Sequence, residues 1–184
     1  MKYELNTHHR HSIRLKGYDY TQAGAYFVTI CTWQRQSLLG AIANGEMQLS
    51  DYGKVACFYW LNLLKYHHHL ELDQFVIMPN HIDGILVLAD DAACQKRHGL
   101  PEIIRGFKTF SARHINRMRR MAGVSVWQRG YYEHIIRHEE SLTAIREYII
   151  KNPLSWEKDE LYPKNPKEWD GKIKNLALQM NRVM

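Results

Sequence analysis

The stretch "FVIMPNHIDGILVL", Phe75 to Leu88, decides how this chain folds. Two apolar runs flank the dipeptide Pro79-Asn80, which suits a tight turn because proline presets one backbone angle and asparagine tolerates unusual ones. The pattern predicts an antiparallel hairpin with strands over residues 72–78 and 81–88. Since strand side chains alternate between faces, His81 and Asp83 are expected to share one face of the second strand.

The elements around this hairpin predict the fold class. Strand and helix patterns alternate along the chain, with strands at 25–33 and 124–137 and helices at 52–70, 100–121 and 139–152. The order strand, helix, strand, strand, helix, strand, helix predicts an α+β protein. We expect a ferredoxin-like (split βαβ) sandwich, an antiparallel sheet flanked by helices. One domain over 21–160 is expected between a basic N-terminal arm, 1–20, and a C-terminal tail, 161–184.

Composition narrows the class of partner. The chain of 184 residues is 45% hydrophobic, enough for a core, and carries a net charge of +6. Such an excess favours a polyanionic partner, of which nucleic acid is the commonest, although a merely basic soluble protein has the same charge. Neither a membrane span nor a secretory signal is recognisable, so a cytoplasmic location is expected. The cysteines are few, far apart and odd in number, which predicts reduced thiols.

Two pairs of residues suggest chemistry. His81 and Asp83 either share a metal ion or simply hydrogen-bond each other, and two ligands alone do not make a metal site. Tyr148 and Asn152 stand four apart, on one helix face. A phenol, whose pKa is about 10, attacks a phosphodiester only if a Lewis acid polarises the phosphate. A histidine, a carboxylate and an amide together would suit Mg²⁺ or Mn²⁺.

The positions of basic and aromatic residues predict contacts with DNA. We expect backbone contacts from three cations of the helix at 100–121, and further contacts from the segment after it; Trp127 could equally belong to the core. These predicted DNA-binding residues are Arg105, Lys108, Arg113, Trp127, Gln128 and Arg129. The triplet 67–69, "HHH", is interpreted as a helix end or plain surface, because sequential histidines point in different directions.

Three motifs, "FVIMPNHIDGILVL", "VWQRGYYEHIIR" and "IREYIIKNPLSW", together resemble the single-tyrosine HUH transposases. More narrowly, the chain resembles the REP-associated tyrosine transposases over roughly residues 12–160. The resemblance implies a single-stranded DNA nuclease and strand transferase with a 5′-phosphotyrosine intermediate, working on hairpin or repeat DNA. It implies that Tyr148 is the nucleophile, that His81 and Asn152 hold the ion, and that the protein is a homodimer or a monomer.

Asp83 departs from the family pattern, which has a second histidine there. Aspartate is a legitimate Mg²⁺ or Mn²⁺ ligand, so His81, Asp83 and Asn152 are expected to hold the ion. The alternative is a catalytically impaired protein that binds specific DNA without cutting it. An RNA-binding module is a third reading and ranks last, because no stretch like the aromatic signature "GFGFVxF" is present.

Overall fold

A computed structural model describes residue 15, residues 17–90 and residues 97–163. Most of the predicted arm and tail therefore lie outside the described residues. The described strands are β1 (Gly24–Cys31), β2 (Gly40–Ala43), β3 (Glu46–Leu49), β4 (Leu70–Ile77), β5 (His81–Leu88) and β6 (Tyr132–Ile136). The described α-helices are α1 (Asp51–Leu61), α2 (Leu63–Tyr66), α3 (Leu100–Met118) and α4 (Glu139–Lys151). Short 3₁₀ helices occupy Trp33–Arg35 and Pro153–Lys158.

The main sheet has the strand order β4-β5-β1-β6, and every neighbouring pair is antiparallel. Two connections pass through helices, one from β1 to β4 and one from β5 to β6. In each case one other strand lies between the two connected strands in the sheet. This is the split βαβ arrangement, so the predicted ferredoxin-like α+β fold is confirmed. Strands β2 and β3 form a separate hairpin inserted between β1 and α1.

Each face of the sheet carries its own hydrophobic core. On one face Val28 packs with Trp60 of α1 and Phe107 of α3, all of them buried. On the other face Phe27 packs with Ile149 of α4. Because side chains alternate along a strand, the odd-numbered residues of β1 and β5 face α4. This alternation decides which polar residues can meet the helix that contains Tyr148.

The predicted first helix, 52–70, is shorter than expected and is divided. Ser50 caps α1 by accepting a 3.1 Å hydrogen bond from the Gly53 amide. At the other end the Asn62 side chain donates to the Phe58 carbonyl at 2.6 Å. A side chain that bonds the backbone of its own helix competes with the helical ladder. The helix therefore ends at Leu61, and α2 adds one turn before β4 begins.

The predicted extended segment 124–137 pairs as a strand only at its end, in β6. Trp127 instead makes an isolated bridge to Thr32, and its indole Nε1 donates a 3.0 Å hydrogen bond to Ser111 of α3. The segment is thus fixed to α3 before it joins the sheet. Tyr20, at the end of the predicted arm, is also buried in the core. None of the helices in the described ranges has the length and apolar character that crossing a bilayer requires.

Candidate active site

His81 and Asp83 begin strand β5 and are fully buried on the face that α4 covers. Thr29 of β1 lies opposite Asp83 in the strand register, and its hydroxyl donates a 2.5 Å hydrogen bond to Asp83 Oδ1. A carboxylate removed from water is costly unless it is paired or hydrogen-bonded. Thr29 therefore stabilises the charge that β5 buries here.

Helix α4 brings the other two predicted residues to this carboxylate. Asn152 Nδ2 donates to Asp83 Oδ2 at 2.9 Å and lies 3.4 Å from the Tyr148 hydroxyl. The Tyr148 ring also packs edge-on against Phe27, with 6.1 Å between centroids. The four side chains predicted from the sequence thus meet in one place within a single chain. Their catalytic and metal-binding roles stay predictions.

Asn80 fixes the orientation of His81. Its amide nitrogen donates to the carbonyls of Leu161 (2.8 Å) and Arg35 (3.3 Å), which directs its Oδ1 to His81 Nδ1, 2.8 Å away. An amide oxygen only accepts, so Nδ1 carries a proton, and whenever the ring is neutral Nε2 presents a lone pair. That Nε2 is buried and has no hydrogen-bond partner among the described residues.

His81 Nε2 and the Asp83 carboxylate face each other at this site. His81 Nε2 lies 3.2 Å from Asp83 Oδ2 without the alignment of a hydrogen bond. Burial would lower the pKa of His81, but the nearby charge of Asp83 outweighs it and the pKa is raised. Burial, followed by the charge of Asp83, also raises the pKa of the Tyr148 phenol well above its ordinary value. The site therefore attracts positive charge and keeps Tyr148 protonated.

The side chains at this site supply some, but not all, of the ligands that a hard divalent ion requires. The unpartnered His81 Nε2 and the Asp83 carboxylate supply two ligand atoms of suitable type, and Asn80 orients the imidazole as second-shell partners of metal ligands do. Among residues 15, 17–90 and 97–163, however, no three His, Cys, Asp or Glu side chains are grouped so as to hold a metal ion. A third ligand would have to be Asn152, which now turns its Nδ2 rather than its oxygen to Asp83.

The predicted DNA contacts on α3 lie away from this cluster, because α3 covers the opposite face of the sheet. Arg105 and Arg113 are exposed, and the Arg113 guanidinium sits 5.9 Å from the Phe110 ring centroid. Lys108 donates its ammonium protons to the carbonyls of residues 128, 129 and 130. Burial lowers the pKa of Lys108 to about 8. Lys108 therefore holds the 128–130 loop, and a role in binding DNA stays a prediction.

The segment after α3 lies nearer to the site. The Gln128 amide donates to the Cys31 carbonyl at 2.9 Å, and Cys31 pairs with His81 across the sheet. Arg129 is exposed next to it, whereas Trp127 is buried and belongs to the core. Of the six predicted DNA contacts, Gln128 is the one that bonds the end of β1, the strand next to β5.

Several residues that support the site were not recognised from the sequence. Asp159 lies close enough to His81, Asp83 and Asn152 to interact with all three, and burial raises the pKa of its carboxyl. Arg146 of α4 makes two hydrogen bonds to Asp73 of β4, at 2.9 and 2.6 Å. This ion pair fastens the helix that contains Tyr148 to the edge strand. The sequence offered no local signal for the contacts of Asp159 with His81 and Asp83 or for the Arg146–Asp73 pair, because these contacts join segments far apart in the chain.

Comparison with known proteins identifies the family. The family model described as "Transposase IS200 like" matches residues 48–152, which include β5 and end at Asn152. This chain belongs to the IS200-like transposase family. The resemblance seen in the three sequence motifs is therefore confirmed at the level of the family, and the matched segment contains all four side chains of the cluster.

Two relatives show how far the similarity extends. A Haemophilus influenzae protein of uncharacterized function is 41% identical over 180 residues, which cover 88% of this IS200-like chain and 97% of the relative. The solved structure of a REP-associated tyrosine transposase bound to a REP hairpin has a TM-score of 0.58 at 17% identity. That alignment covers 85% of this chain and 80% of the other. At such low identity the comparison shows the shared fold.

Proposed function

We propose that this IS200-like transposase is a metal-dependent single-stranded DNA nuclease and strand transferase, with Tyr148 as its nucleophile. One observation carries the proposal: the Tyr148 hydroxyl, the Asn152 amide and the Asp83 carboxylate are connected by contacts of 3.4 and 2.9 Å beside the unpartnered His81 Nε2. A nucleophile, a neutral amide and a site for positive charge in one place suit phosphoryl transfer.

The chain's own residues define the step. Tyr148 Oη forms a bond to a DNA phosphorus as the phosphodiester bond to the 3′-oxygen breaks, which leaves a 5′-phosphotyrosine and a 3′-hydroxyl. The phenol loses its proton and the departing 3′-oxygen gains one. Resealing is the reverse reaction, because the energy of the broken phosphodiester bond is conserved in the phosphotyrosine bond. Asn152, one helical turn from Tyr148, positions the phenol.

His81, Asp83 and Asn152 would hold Mg²⁺ or Mn²⁺, with the Asn152 amide turned so that its oxygen faces the ion. When bound, the ion supplies Lewis acidity to the scissile phosphate and positive charge near the phenol, which opposes the raised pKa of Tyr148. Asn80 keeps the His81 tautomer that ligation requires.

Single-stranded or hairpin DNA is the substrate we propose. The net charge of +6 suits a polyanion, and the related fold was solved with a REP hairpin bound. Arg129 before β6, and Arg105 and Arg113 on α3, are exposed cations available to a phosphate backbone. Because the four site residues meet within one chain, a monomer suffices for one active site; a homodimer stays a possible assembly.

A covalent-adduct assay tests this proposal. The protein is incubated with single-stranded hairpin DNA and Mn²⁺ or Mg²⁺, and the products are separated on a denaturing gel. We expect a metal-dependent adduct that Tyr148→Phe abolishes. Tyr66→Phe is the matched control, since Tyr66 is 76% exposed and lies outside the site. Absence of an adduct with either metal, despite DNA binding, would refute the catalytic proposal.

A specific DNA-binding protein without nuclease activity is the second candidate. The observation that favours it is Asp83, whose two oxygens already accept hydrogen bonds from Thr29 and Asn152. A carboxylate satisfied in this way has less need of an ion. If Asp83→His gains adduct formation that the native protein lacks, the native site is impaired and this second candidate is correct.

A further inference from the structure

A cavity of about 420 Å³ lies between the inserted hairpin of β2 and β3 and the segment that follows Asn152. Its walls come from the hairpin, from Pro79 and from the segment 153–162. Ligand sites in proteins usually occupy about 300–1,000 Å³, so the cavity is large enough for a planar aromatic ring system. The chemistry proposed for Tyr148 does not use this cavity.

Two contacts fix the hairpin at the edge of the cavity. At the base of the hairpin, the Leu39 amide donates a 2.9 Å hydrogen bond to the carbonyl of Pro79. At its tip, Asn44 and Gly45 both have positive φ angles, 54° and 76°, as a tight two-residue hairpin turn requires. A β-carbon built at Gly45 would lie 2.7 Å from Leu154 Cδ2, so glycine allows the tip to approach the segment 153–162 closely. The cavity is therefore a feature that the fold builds.

The cavity adjoins the candidate active site through Trp156. The Trp156 indole lines the cavity, and the centroid of its ring lies 6.0 Å from that of the His81 ring. Pro79, which also lines the cavity, is two residues before His81 in the chain. The segment 153–162 begins directly after Asn152. A group held in the cavity therefore lies close to the residues proposed to act on the scissile phosphate.

We propose that this cavity binds one unpaired nucleobase of the DNA, from a nucleotide next to the scissile phosphate. This inference rests on the proposed function, because it requires the DNA strand to pass over Tyr148 and His81. Trp156, Pro79 and Leu154 provide apolar surface against which a base can pack. Leu154 is 76% exposed, so its side chain is accessible to a ligand.

The polar side chains of the cavity indicate which bases it prefers. They are Ser37, Asn44 and Glu157. A carboxylate only accepts hydrogen bonds, and adenine and cytosine offer it an exocyclic amino group, which thymine lacks. A carboxylate would also repel a phosphate, so Glu157 favours a base over the phosphate backbone as the occupant. We therefore expect adenine or cytosine to bind in preference to thymine.

Fluorescence anisotropy in the presence of a chelator tests the proposal without any cleavage. Tyr148→Phe protein is titrated onto DNA hairpins whose single-stranded flanks are all adenine, all cytosine, all thymine or all abasic. We expect the adenine or cytosine flank to bind at least about fivefold more tightly than the abasic flank, since stacking one base contributes about this factor or more. The affinity for the thymine flank should lie between these two.

Two variants with matched controls locate the effect in the cavity. Ala41→Phe fills the cavity from an exposed position of β2 and should weaken binding of the adenine and cytosine flanks to about that of the abasic flank. Ala43→Phe is its control, because Ala43 is also exposed on β2 and lies outside the cavity lining. Glu157→Ala should remove the preference over thymine, whereas Glu140→Ala, at an exposed position of α4, should keep it.

The proposal is overturned if all four flanks bind equally, or if Ala41→Phe binds every flank as Ala43→Phe does. Thermal melting shows whether both variants are folded, and if Ala41→Phe is not, an unchanged base preference in Glu157→Ala overturns the proposal by itself. Failure of the covalent-adduct assay, with the predicted differences between flanks and variants still present, would refute the nuclease and support the base-binding cavity.

Discussion

Replacing Thr29 with valine tests whether the buried carboxylate is held by a neutral donor on the neighbouring strand. Thr29 is 6% exposed and Asp83 is fully buried, so water cannot replace the 2.5 Å hydrogen bond that the hydroxyl makes. Valine keeps the shape and removes the donor. A hydrogen bond to a charged group contributes about 1.5–3 kcal/mol, which gives an expected loss of about 2 kcal/mol in the free energy of unfolding.

Urea denaturation and thermal melting measure this loss. For a chain of this size about 2 kcal/mol corresponds to a fall in Tm of about 4–8 °C. Thr29→Ser retains the donor and should recover most of the stability, while Thr143→Val, at an exposed position of α4, should change it by less than about 0.5 kcal/mol. If Thr29→Val unfolds within about 0.5 kcal/mol of the native protein with an unchanged urea slope, Asp83 does not depend on Thr29 and the reasoning is refuted.

Two further substitutions probe the surroundings of the site. Tyr132→Phe should raise the free energy of unfolding by about 1 kcal/mol, because the Tyr132 hydroxyl is buried without a hydrogen-bond partner among the described residues; a lower Tm would contradict this. Asp73→Asn should cost about 0.5–1 kcal/mol at pH 7, a modest value because the Arg146 side chain is 40% exposed to screening solvent. The Arg146 hydrogen bonds lower the pKa of Asp73 from 3.8, so the ion pair stabilises the fold above that pH and its contribution disappears as the pH falls through the lower folded-state pKa. The difference in free energy of unfolding between the native protein and Asp73→Asn should therefore become smaller as the pH falls from 7 to 3. A difference that does not change with pH would contradict this prediction.

The sequence predicted those parts of the site that depend on local spacing. Alternation along β5 puts His81 and Asp83 on one face, and the four-residue spacing in α4 puts Tyr148 and Asn152 on another. The tertiary fold then brings these two faces together, as the family resemblance implied. The strand order was also predictable, because short connections and the split βαβ plan leave few alternatives.

The supporting residues were not predictable in this way. Thr29 looks like an ordinary strand residue in "FVTICTW", and its importance depends on a register with Asp83, 54 positions away. Asn80 was recognised as a turn residue, but its orienting bond to His81 depends on the Leu161 carbonyl, 81 positions away. Lys108 carries a charge that predicts a phosphate contact, yet in the fold its half-buried ammonium donates to three carbonyls. Each outcome depends on long-range packing that local pattern does not encode.

The negative charge of Asp83 affects both the binding of an ion at the site and the ionisation of Tyr148. A second histidine at this position would contribute a neutral ligand, whereas aspartate adds a negative charge next to the buried His81 Nε2 and the Tyr148 phenol. Without positive charge nearby, that carboxylate opposes ionisation of Tyr148; with it, the same carboxylate strengthens attraction for the ion. The proposed nuclease activity should therefore reach half of its maximum at a lower Mn²⁺ or Mg²⁺ concentration in the native protein than in Asp83→Asn, as measured by titrating adduct formation with the metal. An adduct that forms equally well in chelator would show that Asp83 does not act through a cation.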